Sequence, residues 1–165
     1  MSNDDQKFLE EALPQLQEYL LSGELYWSLG GSLPRLTPGN LLLAIKRLEA
    51  HNPAAAWRWQ GKLEAIQTKW QNAWEKKAAR ETTSRLRLWA QFLEEQVKDQ
   101  PASRAHYATS VRERVILQLL QPNAPQLAEL DARLRSHFRA GEFVWDALYQ
   151  SVFPESTFWF LYGSL

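Results

Sequence analysis

Residues 54–100, AAAWRWQGKLEAIQTKWQNAWEKKAARETTSRLRLWAQFLEEQVKDQ, contain no proline and a single glycine, Gly61. Five of the eight tryptophans of the chain also fall in this stretch. Proline and glycine are the residues that most disfavour a helix interior, so their near absence predicts a long helix. Tryptophans at helical spacing indicate either a packed seam or a docking surface, because each ring carries a large apolar area.

Apolar side chains recur along this stretch every three or four residues, which is the period of one helix face. The stripe contains Trp59, Leu63, Ile66, Trp70 and Trp74, meets Lys77, Glu81 and Ser84 at the same angular position, and resumes at Leu88 and Phe92. One face of the helix therefore carries two apolar patches, with about two polar turns between them.

A continuous helix over residues 54–99 would be about 69 Å long at about 1.5 Å per residue. A compact chain of 165 residues has a diameter of only about 40 Å. Helix propensity is poorest at Glu81-Thr82-Thr83-Ser84, where a break is the alternative. We expect a continuous or gently bent helix, because threonine and serine are much weaker breakers than glycine or proline.

Shorter helices are predicted on both sides of this stretch. An apolar face over residues 4–22 is interrupted by Pro14, and Thr37-Pro38 supplies an N-cap with proline in the first helical turn for the next helix. Beyond residue 100, helices over 111–120 and 123–141 precede an aromatic tail. The sequence predicts an all-α fold, a bundle of about five or six helices organised on the helix of about 54–99, in a single domain of residues 1–165.

The overall composition favours a folded cytoplasmic protein. Lysine plus arginine equals aspartate plus glutamate at 19 each, so the net charge gives no reason to expect nucleic acid or an anionic membrane as partner. The chain has no cysteine, which excludes disulfides and thiol chemistry. Neither a signal peptide after the acidic start Met1–Asp5 nor a membrane-spanning apolar run is expected.

No motif for catalysis, metal binding or cofactor binding stands in the sequence. The three histidines, His51, His106 and His137, are far apart and have no second ligand at helical spacing. Gly30-Gly31-Ser32 lacks the lysine and the preceding strand of a phosphate-binding loop. We therefore expect no catalytic residue, no metal, no cofactor and no enzymatic activity.

Three tryptophans are the candidate interface residues, since the apolar stripe does not explain them. Trp57 lies about 140° round an ideal helix from Trp70, so it cannot share the same seam. Trp89 belongs to the second apolar patch, and Trp159 lies in the aromatic tail, which must either dock on the bundle or bind something else. The tryptophans of the stripe, Trp59, Trp70 and Trp74, are expected in the core.

The middle of the long helix is basic and forms a candidate basic patch. Between residues 69 and 87 there are six bases and two acids, a local charge of 6 − 2 = +4. The patch residues are Lys76, Lys77, Arg80, Arg85 and Arg87. A solvated face with helix pairs such as Glu81 to Arg85 is the ordinary interpretation, and contact with an anion or nucleic acid is the functional one.

These observations predict a non-enzymatic interaction or assembly protein whose aromatic residues complete an interface with a protein partner or with a second copy of the chain. One alternative is a helical bundle that holds a small apolar or aromatic ligand in a Trp-lined pocket. The other is binding of nucleic acid or another anion through residues 69–87, for which the neutral overall charge is unfavourable.

Overall fold

The computed structural model describes residues 2–98 and 104–165, and the chain divides into two compact units, Met1–Glu81 and Thr82–Leu165. The predicted all-α fold is confirmed, since helices dominate both units and the described residues contain only one small two-stranded sheet. The single domain of residues 1–165 that the sequence predicts stays a prediction.

Unit 1 is built from helices that share one apolar core. They are α1 (Ser2–Ala12), α2 (Leu16–Leu21), α3 (Pro38–Glu49), α4 (Pro53–Lys69) and α5 (Gln71–Lys98), the last belonging to this unit as far as Glu81. A 3₁₀ turn with Pro14 separates α1 from α2, because proline cannot donate to the helical ladder. Thr37 caps α3 as predicted, its hydroxyl accepting from the Asn40 N–H at 3.0 Å.

The core of unit 1 lies where α3 packs against both α1 and α4. Its largest fully buried side chains include Phe8, Leu16, Tyr19, Leu41 and Leu48. The stripe tryptophans Trp59, Trp70 and Trp74 pack partly buried against this core, as their spacing predicted.

The predicted long helix is interrupted at Trp70 rather than at residues 81–84. Trp70 has φ −121° and ψ 41°, outside the helical region, and it separates α4 from α5. The break nevertheless preserves much of the main-chain ladder: the Trp70 N–H still donates to Ile66 at 2.9 Å, and its carbonyl still accepts from Trp74 at 2.9 Å. Few main-chain hydrogen bonds are lost at the break, and packing of the Trp70 ring on the core can offset them. The helix is therefore interrupted here although neither glycine nor proline is present.

Unit 2 combines the second half of α5 with shorter elements. These are α6 (Arg104–Ser110), α7 (Arg112–Leu120), α8 (Pro125–Arg135), β1 (Arg139–Phe143), 3₁₀ helices at Ala147–Val152 and Trp159–Leu161, and β2 (Tyr162–Ser164). The helix expected over 123–141 ends at Arg135, because the chain then pairs antiparallel with β2, Ala140 opposite Gly163. Much of the aromatic tail docks on its own unit, with Phe153, Phe158 and Phe160 buried.

Candidate functional site

The structure gives the three candidate interface tryptophans three different environments. Trp57 is 79 % exposed on the outer face of α4. Trp89 is fully buried in unit 2, where its ring stacks on Phe92 with the centroids 5.5 Å apart. The expectation that Trp89 is available for an interface is therefore corrected: Trp89 and Phe92 belong to the core of unit 2, whereas Leu88 of the same patch is exposed.

Trp159 is half-buried, and other side chains of unit 2 already occupy its ring. Phe138 meets it edge-on at 5.3 Å, and the guanidinium of Arg135 lies 3.8 Å from the ring centroid. A cation over an indole ring is a favourable contact. Among the three candidates, Trp57 is therefore the one whose side chain is mostly exposed to solvent.

The predicted basic patch does not form one surface. Arg85 is buried and forms an ion pair of 2.9 Å with Glu113, while Arg87 is exposed; both belong to unit 2. Lys76, Lys77 and Arg80 belong to unit 1, where Lys77 is also buried. The expectation of a continuous patch from Lys76 to Arg87 is corrected, because Lys77 and Arg85 turn inward.

Lys77 is buried because it holds main-chain carbonyls just beyond the end of α2. Its Nζ donates to the Ser22 carbonyl at 2.9 Å and also to the carbonyl of Glu24, and it lies 4.6 Å from the centroid of the Tyr19 ring. Desolvation is the main cause that lowers the pKa of Lys77, with the nearby charge of Arg80 acting in the same direction. Arg80 adds a bond of 2.9 Å from its guanidinium to the Gly23 carbonyl.

One turn further along α5, Glu81 is buried against the beginning of α3. Its carboxylate accepts from the Thr37 hydroxyl and from the Gly39 N–H, each at 2.7 Å. Periodicity did not reveal these partners, although Lys77 and Glu81 interrupt the apolar stripe in the sequence. The interruption was the available signal: a polar residue on an inward-facing stripe must find hydrogen-bond partners when it is buried.

A cleft of about 740 Å³ opens in unit 1 beside these contacts. It is lined by residues 20–22 and 68–73 together with Lys76, Lys77 and Arg80, so the break at Trp70 lies in its wall. Lys69 is the fourth cation of the lining, and no aspartate or glutamate stands among the lining residues that the structure describes. The cleft therefore combines positive charge with an aromatic and aliphatic wall.

The described part of the chain shows no group of three potential metal ligands. None of its helices combines the length and the apolar character that a membrane crossing requires. Fold and surface thus define an all-α protein with an exposed tryptophan on α4 and a basic cleft at the junction of α4 and α5. Comparisons with protein-family models, with curated proteins and with solved structures find no match to this chain.

Proposed function

We propose that the chain is a non-enzymatic interaction protein of the cytoplasm, which binds a protein partner through the outer face of α4 centred on Trp57. The observation that carries this proposal is the 79 % exposure of Trp57. Tryptophan is enriched among the few residues that dominate binding energy at protein interfaces, because it buries a large area at a small conformational cost.

The surroundings of Trp57 support a role as an anchor. Gly61 lies one turn further along the same face, and a Cβ placed there would meet no atom within 4 Å. Ala54 and Ala65 are exposed on this side of the helix and are equally short. On the other side of the ring, Gln60 and Glu64 bond to each other at 2.9 Å. The exposed indole ring therefore stands between short residues and a polar pair, and it can enter a pocket on a partner.

The charges beside the ring indicate the chemistry of that partner. Glu64, the sole acid of α4, is exposed about 20° from Trp57, two turns along the same face. Arg58, Lys62 and Lys69 are exposed on one flank, about 100–140° round the helix axis from Trp57. This flank complements a partner with an apolar pocket bordered by carboxylates. The exposed charges of α4 sum to 3 − 1 = +2, so two copies of this helix would repel each other, which favours a different protein over self-association.

A photo-crosslinking amino acid at position 61, one turn from Trp57 on the same face and with open space around it, tests the proposal in cells that express the protein and leaves the anchor in place. The partner captured by the crosslink is identified and purified on its own. Its affinity is then measured for the unmodified chain, for Trp57→Ala and for Leu88→Ala. Leu88 is the matched control, because it is a large apolar side chain that is 47 % exposed on α5 in unit 2. Loss of an anchoring tryptophan is expected to weaken binding about thirty-fold, and loss of Leu88 less than about two-fold.

Three results would overturn the proposal. The first is equal affinity of the purified partner for Trp57→Ala and for the unmodified chain. The second is a crosslink only to another copy of this chain, with a doubled mass in light scattering that Trp57→Ala abolishes. The third is the absence of any crosslink from position 61 under conditions in which the chain is folded and Trp57 is intact.

A further inference from the structure

We infer that the cleft at the junction of α4 and α5 is a binding site for a small organic anion, a phosphate, sulfate or carboxylate carried on an aromatic body. The site is separate from the Trp57 side chain. Its volume of about 740 Å³ falls within the range of about 300–1,000 Å³ that is usual for small-molecule sites.

The shape and the wall of the cleft supply the apolar half of this recognition. Leu20, Leu21 and Trp70 line it, and Leu21 is 57 % exposed although it ends a helix of the core. An exposed leucine beside an indole ring leaves apolar area in contact with water, which a bound ring would cover. Trp70 is half-buried and has the Lys69 Nζ 5.6 Å from its ring centroid, so it offers a bound ring an aromatic edge beside a cation.

The cations of the lining supply the polar half. Lys77 is already committed to main-chain carbonyls, and it contributes charge to the cleft rather than a free donor. Arg80 uses Nη1 for Gly23, whereas Lys76 makes no ion pair or hydrogen bond to another described residue. Lys76 and Arg80 are therefore the groups that can reach an anion directly, and Lys69 lies at the same cleft.

Repulsion among the cations of the cleft favours binding of an anion. The charge of Arg80 disfavours the charged form of Lys77, while the carboxylate of Glu24 acts in the opposite direction. An anion bound beside Arg80 would offset its repulsion of Lys77, which adds to the larger effect of desolvation. The N–H groups at the beginning of α5 contribute little to anion binding. The carbonyls that end α4 lie at the same break, and their dipole opposes that of the N–H groups.

Isothermal titration of the full chain with 1-naphthyl phosphate tests this inference, with 1-naphthol and inorganic phosphate as probes that each carry one half of the chemistry. We expect each half to bind at least about ten-fold more weakly than the whole. Lys76→Glu should weaken binding of 1-naphthyl phosphate by at least about ten-fold. Arg87→Glu, an equivalent charge reversal at an exposed site in unit 2, should change it by less than about two-fold.

Adenosine monophosphate distinguishes the two sources of an aromatic anion. Tighter binding than that of 1-naphthyl phosphate would assign a nucleotide, and weaker binding another aromatic acid. The inference is overturned if 1-naphthol binds as well as its phosphate, if Lys76→Glu and Arg87→Glu have equal effects, or if the affinity for single-stranded oligonucleotides rises with their length. Both variants retain Trp57, so failure here leaves the proposed interface untouched.

Discussion

The carboxylate of Glu81 accepts a hydrogen bond of 2.7 Å from the hydroxyl of Thr37, the N-cap residue of α3. Its second oxygen accepts from the Gly39 N–H at the same distance, and Glu81 and Thr37 are both buried. Hydrogen bonds to an ionised carboxylate are roughly twice as strong as neutral ones, and negative charge at a helix N-terminus is favourable. A residue from α5 therefore completes the cap of a helix that begins more than forty positions earlier.

Glu81→Gln should destabilise unit 1 by about 1–3 kcal/mol, because a neutral amide with one accepting oxygen replaces a carboxylate that accepts with both oxygens at the beginning of α3. Hydrogen exchange read by NMR checks the site directly: the Gly39 amide, protected by its bond to Glu81, should exchange faster in the variant. Glu75→Gln is the matched control on α5, since Glu75 is exposed and pairs only with Gln71 among the described residues. Unchanged protection of Gly39 in Glu81→Gln would contradict the prediction.

The stripe on residues 59–74 was predictable because helical periodicity alone places those side chains on one face. The break at Trp70 was not predictable, since no glycine or proline is present and the ladder continues on both sides of it. Burial of Lys77 and Glu81 was visible only as an interruption of the stripe. Their partners, Ser22 and Thr37, are brought to α5 by the tertiary fold, which local periodicity does not encode.

The candidate site also has a part that the sequence predicted and a part that it did not. Trp57 was predictable as an outlier, because its angular position excludes it from the seam. The cleft was not, because it needs the end of α2 beside the break at Trp70, a juxtaposition with no local sequence signal. Trp89 was misassigned because a second patch on one helix can face either a partner or its own unit, and periodicity does not distinguish the two.

Trp89 and Trp57 should respond oppositely to truncation. Trp89→Ala should cost about 3–5 kcal/mol of unfolding free energy, because it opens a cavity in the core of unit 2. Trp57→Ala should change stability by less than about 0.5 kcal/mol. The Trp89 Nε1 is buried and has no hydrogen-bond partner among the described residues, so Trp89→Phe also removes an unsatisfied donor.

Trp89→Phe should therefore cost clearly less than Trp89→Ala, about 1 kcal/mol. Urea denaturation followed by circular dichroism gives the three values. Equal losses for Trp89→Phe and Trp89→Ala would contradict this prediction, because neither the retained ring volume nor the removal of the orphan N–H would then reduce the cost.

Among the described residues of unit 2, Arg114 and Asp131 form an ion pair that is more enclosed than that of Arg85 and Glu113. The guanidinium meets the carboxylate through two bonds of 2.8 and 2.9 Å and lies 4.4 Å from the centroid of the Phe160 ring. Asp131→Asn should destabilise unit 2 by about 3 kcal/mol, because it leaves a buried cation without its counter-charge. Arg114→Met combined with Asp131→Ala should recover most of that loss.

The exposed pair of Lys46 and Glu49, 3.6 Å apart, is the control for this measurement. Glu49→Gln should change the free energy of unfolding by less than about 0.5 kcal/mol, because solvent screens an exposed pair. If the double variant is as unstable as Asp131→Asn in chemical denaturation, the loss comes from packing and not from the stranded charge.

Gly163 and Gly61 should give opposite results when replaced by alanine. Gly163 has φ +150°, and a Cβ there would lie 2.2 Å from the Arg139 carbonyl oxygen, so Gly163→Ala must disturb the pairing of β1 with β2. Gly61 lies in an exposed part of α4 with open space around it, so Gly61→Ala should stabilise by about 0.5–1 kcal/mol. Thermal melts of the two variants should shift in opposite directions, and a raised melting temperature for Gly163→Ala would contradict this assignment.

Tyr107 should make the stability of unit 2 depend on pH above about 10. Its hydroxyl donates to the Phe160 carbonyl at 2.6 Å, and burial raises its pKa above the ordinary value. A raised pKa in the folded state gives stability that is complete below the unfolded pKa of about 10 and is lost as pH rises beyond it. Between about pH 10.5 and 11.5 this tyrosine should cost about 1.4 kcal/mol per pH unit.

Tyr107→Phe should therefore have a shallower decline of unfolding free energy over that interval, although it is less stable at neutral pH by about 1–2 kcal/mol through loss of the hydrogen bond. Urea denaturation at four pH values gives the two slopes, and tyrosinate absorbance at 295 nm reports ionisation in the same samples. In the unmodified chain, ionisation of Tyr107 should accompany unfolding, because the folded core retains the proton. Parallel slopes for the two chains would show that Tyr107 ionises equally easily in both states.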